Sequence, residues 1–156
     1  MKNKTPKEKK LPRIENRRAR HDYEIFDEYE AGIELKGCEI KSIRGHKGSL
    51  AGAYCKVNDE NEMILIGMDI PPFESGSDNN EERGRNRRLL LHKDEIRKIK
   101  SVLDAKGFTC VPLNLHFRKN KAKIDIAVAK GKALYDKRDT IRKRETDRIS
   151  QRTKLK

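Results

Sequence analysis

Glu28-Tyr29-Glu30-Ala31-Gly32-Ile33-Glu34-Leu35-Lys36 alternates in chemical character along its whole length. Tyr29, Ala31, Ile33 and Leu35 fall on one side; Glu28, Glu30, Glu34 and Lys36 fall on the other. A period of two is the mark of a half-buried strand, one face against a core and the other in water. Gly37 ends it. In Cys38 to Arg44, Ile40 and Ile43 lie three apart, which predicts one or two helical turns closed by Gly45 and Gly48.

The same alternation recurs downstream. Ala53 to Val57 and Met63 to Ile70 are apolar runs separated by Asn58-Asp59-Glu60-Asn61-Glu62, a hairpin that Pro71-Pro72 stops. Residues 73–88 hold little that is apolar and end in Arg83, Arg85, Arg87 and Arg88, which predicts a long mobile loop. Ile96, Ile99 and Leu103 share a helical face, with Asp94 and Glu95 in the first turn and Gly107 beyond the end. Val111, Leu113, Leu115 and Phe117 alternate, as do Ile124, Ile126 and Val128, across Arg118-Lys119-Asn120. Pro112 has no N–H, so it belongs at a strand end, a bulge or an edge.

About six short strands and two small helices predict a mainly β domain: a closed or nearly closed antiparallel barrel, OB-like, over residues 16–129. Residues 1–15 are Lys-rich and predicted disordered. In residues 130–156 the apolar residues are too sparse to dock a helix on a core. That tail is expected to be disordered alone and helical on an RNA surface.

Charge separates along the chain. Residues 1–20 carry nine Lys/Arg against Glu8 and Glu15, net +7. Residues 130–156 carry eleven against four acids, again net +7, so of the overall +13 the middle contributes −1. A near-neutral body with two cationic arms points to a polyanionic partner: RNA, DNA or an anionic membrane surface. The membrane reading lacks an aromatic, apolar helix face to insert. Cys38, Cys55 and Cys110 are an odd number without CxxC spacing, which fits free thiols and a cytoplasmic setting. No signal-peptide pattern or 18-residue apolar run stands in the sequence.

Catalytic constellations are missing from the sequence. His21, His46, His92 and His116 make no HxxxH or HExxH, no Cys/His set has zinc spacing, and neither GxxxxGK[ST] nor GxSxG occurs. The expectation is a binding protein that is not an enzyme, with no cofactor and no metal. A nuclease built on Glu30, Glu39 and His21 stands as the enzymatic rival, and a ribosomal or RNA-chaperone protein as the other RNA-binding reading.

Three segments are more specific than composition. The first is Asn16-Arg17-Arg18-Ala19-Arg20-His21-Asp22-Tyr23 with Tyr29-Glu30-Ala31-Gly32-Ile33 and Gly37-Cys38-Glu39-Ile40-Lys41-Ser42-Ile43-Arg44. The second is Arg88-Leu89-Leu90-Leu91-His92; the third runs from Val128-Ala129-Lys130-Gly131-Lys132 to Tyr135-Asp136-Lys137-Arg138. In identity, order and spacing they resemble the small protein B family, bacterial partners of transfer-messenger RNA (tmRNA), over roughly residues 16–145.

The resemblance implies a protein that binds the tRNA-like domain of tmRNA and enters stalled ribosomes with it; a monomer is expected. The basic tail would occupy the empty mRNA channel, and the nascent chain is tagged for proteolysis. Asn16, Arg17, Arg18, Arg20 and His21 match the family's N-terminal RNA-contact segment. Arginine suits phosphate forks, and Asn or His suits bases and 2′-OH groups. Tyr23 has two open readings, a stacking platform or a half-buried barrel tyrosine. Glu30, Leu90 and Lys123 match positions tied to tmRNA binding. For Glu30 a solvent-facing strand acid is the alternative, and for Leu90 a core leucine.

Gly131, Lys132, Asp136, Lys137 and Arg138 fall in the family's tail motif, with Arg142, Lys143, Arg144 and Arg148 set to meet ribosomal RNA phosphates. Gly131 is expected to let the chain leave the last strand at an angle that a Cβ would resist. The arginines before Leu89 have two readings, an extension of the RNA surface or a solvated loop. Ala133, Asp125 and the loop Gly84-Arg85-Asn86-Arg87-Arg88 depart from the family's usual pattern.

Overall fold

A computed structural model describes residues 12–73, 83–132, 142 and 144–150. The element order is β1 (Ile14–Glu15), α1 (Ala19–Asp22), β2 (Tyr23–Ile33), α2 (Gly37–Arg44), β3 (Tyr54–Val57), β4 (Met63–Ile66), β5 (Arg87–Leu90), α3 (Lys93–Leu103), β6 (Phe108–Arg118) and β7 (Lys121–Gly131). Every pairing is antiparallel, and the order β6-β3-β4-β5-β2-β7 returns to β6. Six strands therefore close a ring, the expected barrel, and β1 is appended to the free end of β6 at Ile14↔Leu115.

β2, β6 and β7 each run 11 residues and form a broad ribbon, longer than the short strands the sequence suggests. β6 and β7 join through a two-residue turn in which Lys119 and Asn120 both have positive φ, 49° and 62°, the twist that suits a tight hairpin. Pro112 sits at the register shift between Pro112 and Asn114, as its missing N–H requires. β7 continues through Lys130 and Gly131, two residues past the boundary read from the sequence, because Tyr23↔Gly131 and Glu24↔Lys130 extend the ladder.

The core fills the ring. Inward residues Ala31, Ile33, Met63, Leu65, Leu89, Leu115, Ile124, Ile126 and Val128 pack with Ile43 of α2 and Ile99 of α3, both fully buried. Burying each large aliphatic side chain stabilises by about 1.5–3 kcal/mol, so the two helices close the barrel through very few residues. A second, smaller cluster lies outside the ring: Ala19 with Val111, Leu113, Ala127 and Ala129.

The arginine-rich stretch departs from the loop expectation where it is described. Arg87 begins β5, pairs with Leu65 and is completely buried. Its guanidinium bonds Glu39 at 2.8 Å and the carbonyls of Met68, Arg85 and Arg83 at 2.9–3.0 Å. Arg85 binds the other oxygen of the Glu39 carboxylate. A carboxylate four per cent exposed, held between two guanidiniums, ties α2 to β5.

Candidate nucleic-acid interface

Register determines which side chains meet on the outside of the ribbon. Ile124, Ile126 and Val128 point inward, so Lys123, Asp125, Ala127 and Ala129 alternate outward along β7. At one end the small side chains of Ala127 and Ala129, with Val111 and Leu113 of β6, leave an apolar shelf on which Ala19 brings α1 down. Asn16 fastens the approach: its N–H donates to the Leu113 carbonyl at 2.8 Å and its side-chain amide to the Pro112 carbonyl at 2.9 Å. One of the two amide N–H donors is taken by the bulge backbone, so Asn16 fastens the segment to β6.

Arg17 and Arg18 are exposed beside it. Arg20 is exposed and meets Glu28 at 3.2 Å, and His21 Nδ1 lies 2.9 Å from Asp22 Oδ1. Tyr23 is half-buried against the small cluster, which favours the barrel-tyrosine reading.

Two motifs far apart in sequence join here. The Lys132 N–H donates to the Asp22 carbonyl at 2.9 Å, and its ammonium to the Arg20 carbonyl at 3.1 Å. The start of the tail is thus lashed to α1. Gly131 has neither a left-handed φ nor any atom within 4 Å of where a Cβ would stand. It is an ordinary strand residue facing Tyr23, and the expectation of a glycine-dependent exit angle is not met. Residues 142 and 144–150 are helical and exposed, with Thr146 Oγ1 donating to the Arg142 carbonyl at 2.9 Å. Arg144 comes beside Arg13, Arg17 and Arg20, four guanidiniums with Glu15 the acid among them. Asp136, Lys137, Arg138 and Lys143 lie outside the described residues.

The middle of the outer face is polar. Glu30 stands opposite Asp125. Its carboxylate accepts from Arg118 at 3.3 Å and lies 3.6 Å from His116 Nε2; His116 Nδ1 is 3.7 Å from Asp125 and 3.0 Å from Asn114 Oδ1. Glu30, His116 and Asp125 are the metal-capable trio among the described residues, but Arg118 already brings a positive charge to Glu30. His116 and Arg118 were not singled out from sequence as partners of Glu30. They lie on another strand, and only the β6–β7–β2 register brings them together.

At the far end Gly32 pairs with both Lys123 and Leu90. Leu89 is buried and Leu90 is 47% exposed, so the apolar triplet alternates and Leu90 is a surface residue, not core. A Cβ at Gly32 would meet the Leu90 Cβ at 3.2 Å, so the bare glycine lets Leu90 lie across the strand. Together with Lys36, Arg44, Phe117 and Lys123 they line a cleft of about 730 Å³, in which the Arg44 guanidinium stacks 5.7 Å above the Phe117 ring. The described residues up to Lys132 that were singled out from sequence therefore share one outer face but divide between its two ends. Asn16 to Tyr23 with Gly131 and Lys132 hold one end; Leu90 and Lys123 hold the other, with Glu30 between.

The described arginines before Leu89 are each paired with an acid, although Arg85 Nε is buried without a hydrogen-bond partner. Arg83 forks onto Asp69 at 2.8–2.9 Å, Arg85 and Arg87 share Glu39, and Arg88 reaches Glu62 at 3.1 Å and Glu34 at 3.6 Å. Burial would raise the Glu39 carboxyl, but hydrogen bonds from Arg85, the Lys36 N–H and Arg87 outweigh it and hold the group below the usual carboxylate range. Glu39 is held by Arg85 and Arg87, Glu30 by Arg118, and His21 by Asp22, so the three take different partners.

A small antiparallel barrel whose outer face pairs a docked basic segment with a cationic, partly apolar cleft defines an RNA-binding barrel protein. The comparisons agree on a particular one. The family model described as SmpB protein matches residues 13–156. An SsrA-binding protein of Acetivibrio thermocellus is 48% identical over 139 residues, covering 89% of this chain and 90% of its own. One from Protochlamydia amoebophila is 45% identical over 145 residues, covering 93% and 94%. A solved chain from "tmRNA-SmpB: a journey to the center of the bacterial ribosome" superposes with a TM-score of 0.67 at 44% identity, covering 80% of this chain and 87% of that one. The chain belongs to the SmpB protein family.

Proposed function

We propose that this protein binds the tRNA-like domain of tmRNA (the SsrA RNA) and delivers it to stalled ribosomes for trans-translation. The observation that carries the reading is family membership over residues 13–156, which takes in the outer face and both motif ends. The protein acts by binding in the cytoplasm and performs no catalysis. Arg17, Arg18 and Arg20 meet phosphates, with Asn16 holding their segment on the barrel. Glu30, oriented by Arg118 and His116, accepts from base amino groups. Leu90 packs under an RNA loop while Lys123 contacts its backbone. No helix among the described residues is long and apolar enough to cross a membrane.

The tail from Gly131 onward, including Asp136, Lys137 and Arg138, reads the empty mRNA channel. The body and the tail are then separable. A chain ending at Lys132 should hold the tRNA-like domain within about threefold of the full chain, the loss of a few distal phosphate contacts, yet fail to support tagging in a reconstituted system of stalled ribosomes. Loss of both activities together would refute the division of labour, and retained tagging would refute the role of the tail.

A further inference from the structure

Phe26 and Tyr54 are large aromatic side chains left 48% and 44% exposed, and the RNA face described above uses neither. Both are neighbours of Phe108. Phe26 meets its ring edge-on at 5.4 Å, and Tyr54 lines with it a cleft of about 300 Å³ between β3, the start of β6 and the end of α3. This cleft lies on the β3 edge of β6, whereas the outer face of the ribbon is built on the β7 edge.

The cleft floor is apolar: Val57, Leu103 and Phe108, each partly buried against the main core. Its rim is cationic. Lys56 and Lys100 border it, and the Lys130 ammonium stands 5.7 Å from the Phe108 ring centre. Asp104 is the one acid in the lining.

An apolar slot with an aromatic wall, lysines on two sides and a single acceptor has the chemistry that single-stranded RNA requires. The base stacks on the ring, the phosphates meet ammonium groups, and an exocyclic amine finds a carboxylate. A duplex offers no free base face to such a slot. A peptide without acidic side chains would leave the lysines without an anion. We propose that the Tyr54–Phe108 cleft is a second RNA site, independent of the tRNA-like domain, that takes one unpaired nucleotide from a single-stranded segment.

The test is amide NMR of the full chain at physiological salt, titrated with a nine-residue oligouridylate and, separately, an oligoadenylate. The proposal expects saturable shifts at residues 54–57 and 103–109. Tyr54→Ala should weaken the binding curve read at those amides on the order of tenfold, the effect of removing one stacking platform, while Tyr54→Phe retains it. Lys56→Ala, which leaves the ring in place, should weaken it several-fold and lower its salt dependence. If residues 54–57 and 103–109 stay still while only the terminal basic segments shift, the RNA site is refuted. If Tyr54→Ala and Tyr54→Phe behave alike, stacking is refuted. These amides report on the cleft whether or not the outer face binds a tRNA-like fold, so failure of either reading is seen separately.

Discussion

Glu39 shows how one residue can carry opposite readings. In the sequence it is one more acid in a charged chain, a candidate catalytic partner for Glu30. In the fold it is a buried anion between Arg85 and Arg87, and removing it leaves two guanidiniums with no counter-charge. Breaking such a buried pair costs about 3–5 kcal/mol, so Glu39→Gln should lower the unfolding free energy by about that amount, read as a fall in the denaturant midpoint. The sign of the pH effect follows from its depressed native pKa. The stabilisation is full above the ordinary glutamate range, near pH 4.5, and disappears as pH falls through the lower native value. The gap between wild type and Glu39→Gln, measured by urea unfolding, should therefore be constant from pH 8 to 5.5 and narrow below about 4.5. A gap that widened in acid would contradict this assignment. The burial of Arg87 could not be read locally, since the four arginines look alike until Met68, Arg83 and Glu39 are placed around one of them. Leu90 is the converse case: Leu89 and Leu90 differ only in strand phase, and that phase depends on Gly32.

Among the elements, α1 has the least internal support. It is four residues long, and below about 12 residues a helix gains little from its own hydrogen bonds. It holds because Ala19 fits the shelf of Ala127 and Ala129 and because Asn16 and Lys132 tie its ends. Ala19→Glu should detach it. The amides of residues 17–22 should lose hydrogen-exchange protection while those of β6 and β7 keep theirs. Affinity for the tRNA-like domain should fall, with the log–log salt slope shallower by about 0.7–0.9 for each lost phosphate contact of Arg17, Arg18 and Arg20. An unchanged slope would mean that these arginines never met phosphate. The strands with clean alternation, α2 and α3, were legible in sequence because period and end signals coincide. β1 was not, being two residues long, and β5 was not, because its first residue is a buried cation that no hydrophobic pattern marks. The parts of the interface that stayed hidden, His116, Arg118 and Arg44, depend on cross-strand register, which a single sequence does not display.

Over the whole molecule, ring closure and charge separation set the behaviour. The β3–β6 seam closes on one pair, Cys55↔Cys110, both buried. The hydrogen bond that the Cys55 S–H donates to Cys110, together with burial, pushes the Cys55 thiol well above its usual range. Cys38 is partly exposed. Ellman's reagent should therefore find one thiol in the native protein and three in guanidinium; three fast thiols without denaturant would show that the seam opens readily. The closed body and its cationic arms were both legible in the sequence, the first from strand spacing and the second from composition. The docking of Lys132 onto α1, which makes the tail continuous with the RNA face, was not. The account as a whole rests on recognition of a tRNA-like fold by that face and not on charge alone. The most direct measurement is competition at physiological salt: labelled tRNA-like domain of tmRNA, challenged with excess bulk tRNA and an unrelated hairpin, for the full chain and for Glu30→Ala. The account predicts that binding survives both competitors and that Glu30→Ala weakens it at least about tenfold, the loss of a charged hydrogen bond. Equal competition by all three RNAs, with Glu30→Ala indistinguishable from wild type, would contradict it and leave a generic basic RNA binder.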